Sequence, residues 1–164
     1  MKEIKPKESD EKNEFRDRLL RVTKEMEENV PVYRVMDNMK GNVMIFDRNF
    51  STISAMKYLE KMDPSNVKSL KVLTVHQIIS DGFRESCLVF VDNMNMLKIN
   101  TSIRVTDDNR VKELKDNYLI DDENAYFIPL WYKIEGTSSL LRKSHDRDSI
   151  RQKIELEWEI AKEI

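Results

Sequence analysis

Phe15, Leu19, Val22 and Met26 are spaced 4, 3 and 4 residues apart, and Pro31 follows shortly after them. That spacing puts four apolar side chains along one edge of a helix, the a/d seam of a coiled coil. Pro31 has no amide hydrogen and disfavours helical backbone in the residue before it, so the helix must stop there. Ser9 or Asp10 is placed to cap its start. The pattern predicts an amphipathic helix over 11–30, after a lead at 1–10 that has almost no apolar surface to bury and is expected to be disordered. A seam shorter than three heptads leaves two arrangements open: pairing with a second helix, and packing on the chain's own body.

A second stripe closes the chain. Ile150, Ile154, Ala161 and Ile164 align at helical spacing with Trp158 beside them, which predicts an amphipathic helix over 144–164, capped by Ser144 or Asp146. The 164 residues suit one domain of ~100–150 residues with helical extensions, and the domain is placed at 31–140. Within it, 42–46 is a compact apolar run, and Asp47-Arg48-Asn49 is turn-forming. Residues 51–55 alternate and read as a second strand, 56–62 as helix, and Asp63-Pro64-Ser65-Asn66 as a break. Residues 70–91 are ambiguous between strand and helix, because short apolar runs carry no decisive period. Alternation returns from Leu97 to Val105. Residues 125–134 read as a long aromatic strand, which Pro129 confines to an edge or a bulge.

Composition removes several classes of function. Three glycines in all, Gly41, Gly82 and Gly136, cannot write a phosphate-cradling loop. Lys and Arg number 28 against 30 for Asp and Glu, a net charge of −2, with no cationic excess to neutralise phosphates. Nucleic acid is therefore not expected among the partners. No apolar run is long enough to span a bilayer, and the polar start does not resemble a secretory signal. A single cysteine, Cys87, forms no internal disulfide, so a cytoplasmic setting is expected. Two histidines and no Gly-x-Ser-x-Gly setting argue against an enzyme.

The element order (helix, hairpin, short helices, three antiparallel strands, exit helix) resembles that of a PAS sensory domain. Asp37-Asn38, Asn42-Val43-Met44-Ile45 and Asp47 resemble the opening of the PAS domains of chemoreceptors and histidine kinases, where an Asp ends the first strand. Ile154-Glu-Leu-Glu-Trp-Glu-Ile-Ala resembles their acidic-hydrophobic output helix. The resemblance implies an α+β fold: a five-stranded antiparallel PAS-like sheet with short helices, flanked by amphipathic helices. It implies a cytoplasmic sensory and signal-transduction module that dimerises and passes the state of a ligand or partner to an output domain. Two departures stand beside it. Ala55, Met56 and Lys57 occupy the place where many members carry an Asn, and 107–117 is longer than a hairpin needs.

Two other readings remain open. One is a protein–protein interaction adaptor with a filled core. The other is a receiver-like layer with 42–46, 70–75 and 87–91 as parallel strands, which would put a phosphoacceptor at Asp47 or Asp92.

Candidate sites follow from these readings. His76 lies where heme-binding PAS domains carry an axial ligand, so a cofactor, if any, would be heme held there; otherwise none is expected. Cys87 lacks the flavin-binding pattern of light-sensing relatives. Asp107-Asp108 and Asp121-Asp122-Glu123 read as solvated turn caps, and no metal is expected. The expected interface is Phe15, Leu19, Val22 and Met26 on the first helix, with Trp131 or Tyr132 on the aromatic strand. A homodimer joined to an output domain or partner protein, with no membrane insertion, completes the expectation.

Overall fold

The computed structural model describes residues 6–75 and 79–164, with the side chains of all of these but 6–9 and 23–27. The first helix, α1, spans Pro6–Glu28, so part of the lead expected to be disordered is helical. It meets the body through β1 (Asn29–Pro31) and β7 (Leu140–Ser144), which pair antiparallel. The remaining elements are α2 (Val32–Asn38), β2 (Gly41–Asp47), α3 (Thr52–Leu59), β3 (Val67–Val75), α4 (Asp81–Met96), β4 (Asn100–Thr106), β5 (Asn117–Ile120), β6 (Ala125–Ile128), α5 (Arg147–Ile160) and β8 (Lys162–Glu163). The eight strands form a mixed sheet in the order β1-β7-β6-β5-β2-β3-β4-β8.

This is an α+β chain, but the sheet is not the five-stranded antiparallel one that a PAS domain would have. Its centre is parallel: β2 pairs with β3 from Gly41↔Val67 to Asp47↔Thr74, and β3 with β4 from Ser69↔Asn100 to Val75↔Thr106. Parallel neighbours need a crossover, and α3 and α4 supply the two. Residues 51–55, expected as a strand, begin α3. Ser51 caps that helix by accepting from the Ser54 amide, and Ala55, Tyr58 and Leu59 are buried along its inner face. Residues 87–91 are helical for the same reason. Cys87, Phe90 and Met94 recur every three to four residues on the buried face of α4, leaving Leu88 and Val89 exposed.

The departure at 107–117 has a direct cause. Strands β4 and β5 are not neighbours; β2 and β3 lie between them, so the charged stretch carries the chain back across two strands.

Two cores lie on opposite faces of the sheet. Val43, Ile45, Leu70 and Val72 pack with α3, α4, Met36 and Trp131, while Met44, Phe46, Leu73 and Ile120 pack with Ile150, Ile154 and Trp158 of α5. The alternation along β2 thus serves two apolar layers, as expected of a strand buried on both faces. The expected body, 31–140, is too short at both ends. Strands β1 and β7 straddle its limits, and the expected exit helix of 144–164 stops at Ile160, after which β8 pairs with β4. Among the described residues, no helix is long and apolar enough to cross a membrane.

Candidate functional site

In open α/β sheets, binding sites form outside the carboxyl ends of parallel strands, where the strand order reverses. Here that place is the end of β2, flanked by parallel β3 and antiparallel β5. Asp47 sits there, fully buried. One carboxylate oxygen accepts the indole N–H of Trp131 at 2.7 Å, and the other accepts the Asn49 amide at 2.9 Å. Desolvation raises its pKa above the ordinary 3.8, and the two hydrogen bonds counter only part of that. With both oxygens engaged and no exposed surface, the group is not presented to a ligand. Asp92, the other residue considered as a phosphoacceptor, lies exposed in the middle of α4 rather than at a strand end.

Neighbouring groups are similarly engaged. The Arg48 guanidinium lies over the Phe46 ring at 5.0 Å, donates to the Val111 carbonyl at 2.8 Å and to the Leu114 carbonyl, and faces Asp108 at 3.4 Å. Trp131 itself is only 2% exposed and stacks on Tyr58, so it is not a surface residue. The aromatic strand expected through 134 ends at Ile128, because Pro129 offers no ladder hydrogen, and Trp131–Lys133 form a 3-10 turn that drives the indole inward. Tyr132, on the same turn, is 67% exposed. Thr74, the cross-strand partner of Asp47, is also buried, and its hydroxyl has no hydrogen-bond partner among the described atoms.

The opposite end of β2 is a lock. Asp121 accepts the amides of Glu123 and Asn124 on one oxygen and that of Lys40 on the other. The Asp121 carbonyl takes hydrogen bonds from Arg147 and Arg151 of α5, and Arg151 also donates to the Asn42 carbonyl at 3.0 Å. Asp122 accepts the Asn42 amide at 3.2 Å. Asp121 is 2% exposed rather than solvated. The acidic turn holds α5 and β2 together, and no group of His, Cys, Asp and Glu suited to a metal occurs among the described residues. His76, the candidate heme ligand, lies outside the described residues. Cys87 is buried, and desolvation pushes its thiol up to about 11.

Apart from Thr74, the polar groups described at the two ends of β2 hold the body together. Helix α1 carries a group of exposed side chains. Phe15, Leu19, Leu20 and Val22 are 52–68% exposed, which places three of the four expected seam residues at the surface; the side chain of the fourth, Met26, lies outside the description. Arg16, Arg18 and Arg21 are exposed beside the stripe. Arg18 and Arg21, three residues apart, share a side of the helix, and among the described residues neither has an ion-pair partner. Three arginines stand against one aspartate over 16–21, although Glu14 and Asp17, four residues before Arg18 and Arg21, lie on the same side of the helix as these two.

Neither a family model nor a curated protein matches the sequence. Among solved structures, the fold is similar to that of TrmBL2, an archaeal chromatin protein whose structure shows a novel mode of DNA binding. The TM-score is 0.52 at 17% identity, and the likeness covers 96% of this chain. The chain spans 64% of the length of that protein. Nearly the whole chain is thus similar in fold to a DNA-binding chromatin protein. That likeness contradicts the expected sensory and signal-transduction role and the exclusion of nucleic acid from the partners. Net charge was the wrong measure for the exclusion, because phosphate contact depends on local cations.

Proposed function

We propose that this chain is a non-catalytic, nucleic-acid-associated module in which the folded body holds out α1 and the Arg18–Arg21 face of that helix contacts the phosphate backbone. The observation that carries the reading is the likeness over 96% of the chain to a DNA-binding chromatin protein. Two features of the chain support it: the exposed arginines of α1, and the burial of the hydrogen-bonded Asp47 and Asp121 carboxylates, which are not presented to a substrate. Guanidinium groups suit phosphate because they present several donors in a fixed plane. With a net charge of −2, the contact is expected to be weak, non-specific and salt-dependent, at a Kd of about 10⁻⁴–10⁻⁶ M.

Fluorescence anisotropy with a labelled duplex, titrated at several salt concentrations, tests this. Arg18→Glu/Arg21→Glu is expected to lower the salt slope by about two, at about 0.9 per phosphate contact. Absence of binding at low salt up to ~100 µM, the weak end of that range, overturns the proposal. Binding with an unchanged slope in the double variant removes α1 as the contact.

A further inference from the structure

The apolar edge of α1 is separate from its Arg18–Arg21 face. On one side, Phe15, Leu19 and Val22 stand at 68%, 56% and 52% exposure. Taken as a heptad, Leu19 is an a position and Phe15 and Val22 are d positions. Glu11 and Arg18 then fall at g, and Arg16 at e. Across a parallel pair of helices, a g residue faces the e residue five places later on the partner, so Glu11 of each copy faces Arg16 of the other. Both are exposed, and they are opposite in charge on both flanks of the seam.

We infer that α1 pairs with α1 of a second copy of this chain, parallel and in register, through layers of Phe15, Leu19 and Val22 closed by two Glu11–Arg16 ion pairs. The placement of the body favours the parallel sense. An antiparallel pair with Leu19 against the partner's Val22 would lay residues 6–12 of one copy along 29–35 of the other. There β1 and α2 already pack inward, with Val30, Val32 and Val35 buried, and offer no seam. Arg18 faces the uncharged Thr23 in the parallel arrangement, so it and Arg21 remain outside the ion pairs, and pairing is measurable without nucleic acid.

Sedimentation velocity of the full chain is expected to show a concentration-dependent monomer–dimer equilibrium. Glu11→Arg or Arg16→Glu alone is expected to weaken it several-fold, and the two exchanges together to restore it; these surface positions leave the body intact, as its unfolding midpoint will report. Mild oxidation of Leu19→Cys is expected to give a 19–19 disulfide dimer, since a residues face each other in a parallel pair, and buried Cys87 does not compete. A chain that stays monomeric up to ~100 µM, two decades above a micromolar Kd, overturns the pairing, as does loss of the dimer in the charge-exchanged variant. A mixed disulfide between Leu19→Cys and Val22→Cys chains, formed in preference to the 19–19 dimer, overturns the parallel sense. None of these readouts involves nucleic acid, so failure here and failure of DNA binding are told apart.

Discussion

Gly41 opens β2 at φ +73°, and a Cβ built on it would overlap Oδ2 and Cγ of Asp122 and stand 2.9 Å from Oδ1. Gly41→Ala therefore has two costs that add. The left-handed backbone costs an L side chain about 1–2 kcal/mol. The methyl also displaces the Asp122 carboxylate, which then leaves the Asn42 amide it accepts from at 3.2 Å, a hydrogen bond worth about 0.5–1.5 kcal/mol. The ion pair of Asp122 with Arg151, at 3.8 Å and half exposed, adds little.

The sum is a loss of roughly 1.5–3.5 kcal/mol, against about 0.5–1.5 kcal/mol for Asp122→Ala alone. The double variant is expected to be no less stable than Gly41→Ala, because the hydrogen bond is lost only once. The two substitutions should thus fall short of additivity by about 1 kcal/mol. Urea unfolding followed by the fluorescence of buried Trp131 and Trp158 measures all four corners of the cycle. Strict additivity, or a Gly41→Ala chain as stable as the parent, would refute the reasoning, since either outcome means that Gly41 and Asp122 do not share a space.

Two more expectations concern buried titratable groups. Burial raises the pKa of Asp47 above 3.8, so the folded state holds that proton more tightly than the unfolded chain. Its contribution to stability is full below the unfolded value and is lost as pH climbs through the raised folded one. Asp47→Asn should flatten that decline, and Trp131→Phe should steepen it while costing about 1–3 kcal/mol, because one carboxylate oxygen is left buried and unpaired; denaturant midpoints across the acidic range read both. The Cys87 thiol, at about 11, should resist a disulfide reagent at pH 8 in the native chain and react once in urea. Stability should fall as pH rises from 9 towards that value, a loss that Cys87→Ala would remove.

Local pattern determined the framing helices and the central apolar run. The seam of α1 and the buried face of α5 (Ile150, Ile154, Trp158) both follow a period that any helix imposes. Residues 42–46 are strand in the structure because they combine β-branched and large apolar side chains with no helical period. The sheet's topology was legible only in part: the receiver-like reading made 42–46 and 70–75 parallel strands, as they are, but took 87–91 as the next strand in place of 100–106. Residues 51–55 alternate like a strand yet form α3, because Ser51 caps them and the parallel pairing of β2 with β3 demands a crossover that covers Val43 and Ile45. Residues 87–91 are apolar enough for a strand, and only the burial of Cys87, Phe90 and Met94 on one side makes them a helix.

The candidate site divides the same way. Phe15, Leu19 and Val22 are exposed, whereas Trp131, expected at an interface, is the buried partner of Asp47, 84 positions away in the chain. The sequence by itself thus determined where the chain turns helical at its two ends, through side-chain periods a few residues long. Tertiary structure alone decided which carboxylates are engaged and which strands are neighbours, because those depend on contacts between distant residues that no local period records.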